Sequence, residues 1–125
     1  VRTGGNMIAD LVNVYYKGIA RRDGWQQPLS DSLRFVSPGG KVTEGKAAYL
    51  DANNRFLSSV RSTQRKEMLA DGDTACVWMS YEIVSPRGKQ TTLDAVEIWT
   101  ARDNQLASLT IYFDTAAFNS FMQQA

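Results

Sequence analysis

From residue 7 to residue 22 apolar side chains return every three or four positions. Met7, Ile8, Leu11, Val12, Tyr15 and Ile19 form a stripe that predicts an amphipathic helix, with Asn6 as its cap. Arg21 and Arg22 suit the C-terminal end of that helix, and Asp23-Gly24 stops it. Trp25 to Ser32 reads as a short second helix interrupted by Pro28. Leu33 to Val36 then reads as extended, ending in the turn Ser37-Pro38-Gly39-Gly40. A third helix is expected after Gly45, with the stripe Tyr49, Ala52, Phe56, Leu57 and Val60 and with Asn53 inside it. From about residue 62 the period changes from helical to alternating. Extended stretches are expected at 62–70, 73–85, 90–101 and 105–114. They are separated by the hairpin signals Asp71-Gly72, Pro86-Arg87-Gly88 and Arg102-Asp103-Asn104. Thr115 is expected to cap a short closing helix carrying Ala116, Phe118, Phe121 and Met122.

Helices first and a meander of strands afterwards predict an α+β domain. Three N-terminal helices would cover one face of an antiparallel sheet of about four long strands plus a short one, with a short C-terminal helix. No repeat or linker divides the sequence, so residues 6–122 are expected to form one domain behind a flexible leader, residues 1–5. Several strands are apolar on both faces. In 73–85 one alternating set is Cys76, Trp78, Ser80 and Glu82, and the other is Val77, Met79, Tyr81 and Ile83. A solvated outer face would not carry Val, Met, Tyr and Ile in register. Either a second subunit covers that face, or inside and outside are the reverse of this assignment, or a monomer carries an apolar face. The homodimer, packed through the outer sheet face, is the expectation.

Composition then removes whole classes of chemistry. Fourteen Lys and Arg against 13 Asp and Glu leave a net charge of +1 with both signs scattered, which argues against a nucleic-acid partner. Histidine is absent, so His-based triads, His–Asp dyads and HExxH zinc sites are absent too, and no metal or cofactor is expected. Acid–base work must fall to carboxylates, tyrosines or lysines. The lone Cys76 cannot form an internal disulfide and has no adjacent cation, so it reads as an inert buried thiol. Pro38-Gly39-Gly40-Lys41 lacks the spacing of a phosphate-binding loop. No apolar run reaches the roughly 18 residues needed to cross a bilayer, and no signal peptide pattern opens the chain. A cytoplasmic protein without a membrane partner is the expectation.

The order of elements resembles the nuclear-transport-factor-2-like superfamily, in its SnoaL-like and ketosteroid-isomerase-like branch. The likeness covers residues 6–122. It is carried by Tyr15-Tyr16 ahead of Arg22-Asp23-Gly24-Trp25, by Phe35-Val36-Ser37-Pro38, by Glu44-Gly45-Lys46, and by the ending Leu109-Thr110-Ile111-Tyr112-Phe113-Asp114. The resemblance implies a cone-shaped fold, commonly dimeric, with a pocket between a concave sheet and its helices. Members include isomerases, polyketide cyclases, dehydratases, epoxide hydrolases and non-catalytic binding modules, so the fold alone does not decide the function.

Against ketosteroid isomerases, the tyrosine that donates to the oxyanion matches Tyr15. The proton-abstracting carboxylate before a proline matches Ser37, and the second donor falls at or near Val96, two residues from Asp94. Ser cannot act as an unaided base near neutral pH, so ordinary ketosteroid isomerisation is not expected. Against limonene-epoxide-hydrolase-like members, the first catalytic Asp of the ending is Ile111 here, and the Arg-x-Asp pair falls on Trp78-Met79-Ser80. That water-activating triad is lost, and scytalone-dehydratase-like chemistry fails for want of histidine.

Carried over from the family, the concave face would bear Cys76, Trp78, Ser80 and Glu82, then Asp94, Val96 and Ile98, then Leu109, Ile111 and Phe113. Phe35, Ser37, Asn53 and Phe56 would complete the ligand site. A one-residue slip of register would invert these faces. Asp94, flanked by Leu93 and Ala95, is either a buried acid–base group or a rim carboxylate pairing with Arg34 or Arg61. Glu82 lies near the hairpin and reads as solvent-exposed. Tyr15 needs a hydroxyl partner, for which Asn53 is the candidate, whether the pair serves a ligand carbonyl or is structural. Tyr16 points about 100° away on the helix. Trp25 and Trp78 are expected at the pocket and Trp99 on the dimer-facing side. The reading is a small-molecule pocket protein. As an isomerase, cyclase or lyase, it would use Tyr15 to stabilise an enolate oxygen and Asp94 to carry the proton on an apolar carbonyl compound. The alternative is a non-catalytic module for hydrophobic-ligand binding or dimerisation.

Overall fold

The computed structural model describes residues 4–124, with side chains from 7 to 123. Its first element, α1 (Gly4–Arg21), lays Ile8, Val12, Tyr15 and Ile19 into the core along the apolar stripe. Gly4 and Gly5, expected in the flexible leader, are already helical, and the rest of that expected leader, residues 1–3, lies outside the described residues. Asn6 sits inside the first helical turn and does not precede it. Gly18 marks a close approach: a Cβ there would meet the backbone nitrogen of Trp25 at 2.4 Å. The chain therefore folds back tightly on α1, with Arg22 at a φ of 62°. The Arg22 guanidinium donates to the carbonyls of Leu57, at 2.8 Å, and Val60. It thus ties the end of α1 to the end of the next helix, where free carbonyls need donors.

No helix forms at 25–32. Gln27 N–H and Leu29 N–H donate to Gly24 and Gln26 carbonyls as turns, and strand β1 (Leu29–Val36) begins directly after Pro28. The Pro28 carbonyl accepts from Leu106 N–H, so this segment belongs to the sheet edge. Two helices therefore precede the long strands where the sequence suggested three. After the short strand β2 (Val42–Glu44) comes α2 (Lys46–Leu57), as its spacing required. The four long strands follow: β3 (Val60–Asp71), β4 (Thr74–Val84), β5 (Gln90–Arg102) and β6 (Gln105–Tyr112). Asp103 and Asn104, both at positive φ, make the two-residue β5–β6 hairpin. Helix α3 (Thr115–Gln124) closes the described chain. Its cap is Asp114, whose Oδ1 accepts from Ala117 N–H at 2.9 Å, in place of Thr115.

The sheet is open and six-stranded, in the order β2-β1-β6-β5-β4-β3. Its one parallel pair, β1 with β6, departs from the antiparallel expectation. Register shifts in β3, between Val60 and Ser62 and between Arg65 and Glu67, bend the sheet around the helices. Helix α1 packs across β3 to β6, and α2 against β1 and β2.

The faces of β4 and β5 are the reverse of those expected. Ala75, Val77, Met79, Tyr81 and Ile83 are buried beneath the helices, in register with Leu93, Ala95, Glu97 and Trp99. Trp99 is 0% exposed, a core residue and not a dimer-facing one. Trp78, at 44%, lies on the opposite surface with Glu82, Asp94 and Val96. The reason is hydrophobic. The inward set combines the buried Ala75, Ala95 and Ala101 with long apolar side chains, all of which a one-residue slip would turn outward. No helix among the described residues is long and apolar enough to cross a membrane.

Candidate functional site

Between α1, α2 and the inner sheet face lies a cavity of about 210 Å³. Its walls are chiefly rings and aliphatic chains: Phe35 from β1, Phe56 and Leu57 from α2, Ile111 from β6, and Phe113. Ser37 and Pro38 stand among its lining residues from the turn after β1. Edge-on ring contacts brace the walls, with Phe56 against Tyr81 at 5.2 Å and Phe35 against Tyr49 at 4.9 Å. Phe118 of α3 packs on Phe56 and Phe113, so the last helix leans on this wall from outside.

The polar groups gather at Glu97. Its side chain projects from β5 on the inner face, lines the cavity and is 3% exposed. Tyr16 of α1 donates its hydroxyl to Oε1, and Tyr81 of β4 donates to Oε2 at 2.6 Å. Trp99 Nε1–H donates to the Tyr16 oxygen at 2.9 Å, fixing that ring from behind. Burial pushes the Glu97 carboxyl above the usual carboxylate range, while the two tyrosine bonds pull it part of the way back. A second cluster adjoins the first. The Tyr15 and Tyr49 hydroxyls lie 2.5 Å apart, and Asn53 Nδ2 reaches the Tyr15 oxygen at 3.5 Å. Burial raises the hydroxyl pKa of Tyr15, Tyr16, Tyr49 and Tyr81, reinforced in each by the Glu97 charge. These phenols therefore keep their protons at neutral pH and act as donors. Glu97 is the lining group able to exchange a proton there.

Of the residues singled out from the sequence, Tyr15, Phe35, Ser37, Asn53, Phe56, Ile111 and Phe113 line the cavity. Leu109 is fully buried on the same sheet face but outside the lining. Trp78, Ser80, Glu82, Asp94, Val96 and Ile98 stand on the far side of the sheet, because β4 and β5 present their other set of residues inward. Asp94 is exposed there, in register with Ser80, and Glu82 accepts from Thr92 Oγ1 at 2.5 Å. Neither carboxylate can reach a ligand in the cavity. Glu97, Tyr49 and Tyr81 are the titratable lining residues that sequence reasoning missed, along with apolar ones such as Ile19 and Leu57. The signal was present in the alternation Leu93, Ala95, Glu97, Trp99, Ala101, where one acid interrupts an otherwise apolar set. Among the described residues no group of three or more His, Cys, Asp or Glu is placed to hold a metal.

Comparison with known proteins gives a consistent answer for the architecture. Residues 12–109 match the SnoaL-like domain family. No curated protein matches the chain. TerC, co-crystallised with polyporic acid, superposes with a TM-score of 0.83 at 25% identity, covering 94% of this chain and 99% of that one. A candidate SnoaL-like polyketide cyclase from Jannaschia sp. CCS1 superposes at 0.86 with 14% identity, over 100% of this chain and 98% of that one. A candidate polyketide cyclase from Xanthomonas campestris pv. campestris superposes at 0.78 with 18% identity, over 96% and 99%. At those last two identities the likeness is one of fold.

Proposed function

The chain belongs to the SnoaL-like domain family, and on that premise we propose that it is a cofactor-independent acid–base enzyme acting on a small, largely apolar carbonyl compound. The observation that carries this reading is Glu97, a buried carboxyl on the wall of an apolar cavity, beside a pair of protonated phenols. The ionised carboxylate removes a proton from the carbon next to the ligand carbonyl. Tyr15 accepts from Asn53, and its oxygen can also accept from Tyr49. Its own proton is then free for the enolate oxygen that forms. Returning the proton to a different carbon gives an isomerase; attack of the enolate carbon on a second carbonyl gives a cyclase. Ser37, at the place where the resemblance puts a base, lines the same cavity, so Glu97 approaches the substrate from a different wall. TerC, a structural neighbour that was co-crystallised with polyporic acid, supports an organic small molecule as the ligand.

The test is hydrogen–deuterium exchange at the methyl group of 2-acetonaphthone, followed by NMR in D₂O. Enzyme should accelerate exchange. Tyr15→Phe should lower that acceleration by about 10²–10³-fold, as removal of an oxyanion donor does. A second reading has its own support: both Glu97 oxygens already accept a tyrosine proton, which suits a carboxylate held still. Binding of the ketone without exchange would make the protein a non-catalytic binding module.

We also propose that two copies pair through the outer sheet face. Trp78, Val96 and Tyr112 align across β4, β5 and β6 there and remain substantially exposed.

A further inference from the structure

The cavity contains one acid and no base to balance it. Among the described residues that line it there is no Lys or Arg, and Glu97 is its only carboxylate. The groups facing Glu97 are neutral from every side: Tyr15 and Tyr16 from α1, Tyr49 from α2, Tyr81 from β4, and Ile111 in register on β6. Tyr16 and Tyr81 have committed their protons to the Glu97 oxygens. Ser37 donates its hydroxyl to the Lys41 carbonyl, so the Tyr15–Tyr49 pair and Asn53 remain to solvate a ligand oxygen. Two negative charges in one desolvated site, without a cation, cannot both persist.

We infer that this cavity holds a single negative charge, shared between Glu97 and the ligand. Its ligand class is then a neutral ketone or a weakly acidic phenol or enol, and not a carboxylate or phosphate ester. The inference rests on the proposed ligand site and names what that site accepts. An acidic molecule enters only with a proton, placed on itself or on Glu97. Size narrows the class further. A cavity of about 150 Å³ takes benzene, so about 210 Å³ suits one ring with substituents or two fused rings.

The test compares two ligands of the same shape, 2-acetonaphthone and 2-naphthoate, by isothermal titration calorimetry between pH 5 and pH 9. The ketone should bind throughout. Above the pH at which Glu97 ionises, naphthoate affinity should fall about tenfold per pH unit. Repeating the titration in two buffers of different ionisation enthalpy should reveal uptake of one proton for naphthoate and none for the ketone. Glu97→Gln should bind naphthoate more tightly at pH 8 and without proton uptake, with circular dichroism confirming that the variant is folded. Should that variant not fold, the proton count on the unmodified protein decides alone. Naphthoate that binds as tightly as the ketone at pH 8, with no proton taken up, overturns the single-charge inference while leaving the ligand site intact. If neither compound binds at any pH, the ligand site itself is wrong and this inference falls with it.

Discussion

Asp94 and Glu97 stand on the same strand, yet one faces water and the other is sealed beneath two helices. They are three positions apart, an odd offset, so the pleat of β5 puts them on opposite faces. On the outer face a carboxylate needs no partner. On the inner face Glu97 is tolerated because two phenols, brought by α1 and β4, occupy both of its oxygens. The contrast extends to tryptophan: Trp99 is buried against the Tyr15 ring at 4.6 Å, and Trp78 lies open beside Lys66. A buried acid is therefore a property of converging elements, while an exposed one is a property of its own position.

Exchanging the two carboxylates for amides gives the sharpest contrast. Glu97→Gln should lower ketone exchange by about 10²–10⁴-fold, the usual contribution of a general base. Asp94→Asn should leave it unchanged within a factor of about two. Equal losses would erase the distinction between the faces. The tryptophans follow. Trp99→Ala should cost about 3–5 kcal/mol in urea unfolding, because a large cavity opens and Tyr16 loses its donor. Trp78→Arg should stay within about 0.5 kcal/mol for the isolated protomer. The same Trp78→Arg variant should shift a dimer to monomer in sedimentation velocity; a species unchanged in mass would remove the outer face as an interface.

The smallest effect concerns pH. Folding raises the Glu97 pKa, so above the ordinary carboxylate range the native state binds more protons than the unfolded chain. Its contribution must become less favourable as pH rises through the native value. The melting temperature of the unmodified protein should accordingly decline between pH 5 and pH 8 relative to that of Glu97→Gln. Parallel profiles would mean that Glu97 stays ionised in both states.

Most of the architecture could be read locally. The stripes of α1 and α2, the hairpin residues and the period change near residue 62 are short-range signals, and each element formed close to its expected place. The β1 edge was obscured because Trp25 and Leu29 mimic helical spacing, while Pro28 joins the sheet only by meeting Leu106 from the far end of the chain. The faces of β4 and β5 were misjudged for a related reason. They were carried over from the family resemblance, and the local pattern could not correct a one-residue slip, because both sets of β4 are apolar and the Leu93-to-Ala101 set of β5 holds an acid. What reverses that judgement is the meeting of Tyr16 and Tyr81 at one carboxylate, and no local pattern encodes that meeting. About half of the candidate site was therefore named correctly, from α1, α2, β1, β6 and the segments after those two strands, and the chemically decisive acid was missed.

The parallel pairing of β1 with β6 has a consequence for time as well as shape. It sets Phe35 opposite Leu109, joining segments far apart in the sequence. Closing so long a loop is entropically expensive, and such pairings slow folding. The local hairpins β3–β4, β4–β5 and β5–β6 carry no such delay, so the wall formed by Phe35 and Ile111 is expected among the last to assemble. A ligand clasped by that wall would hold together the contacts that form late and break early. Its binding should then prolong the lifetime of the folded protein chiefly by slowing unfolding, with little effect on the rate of folding.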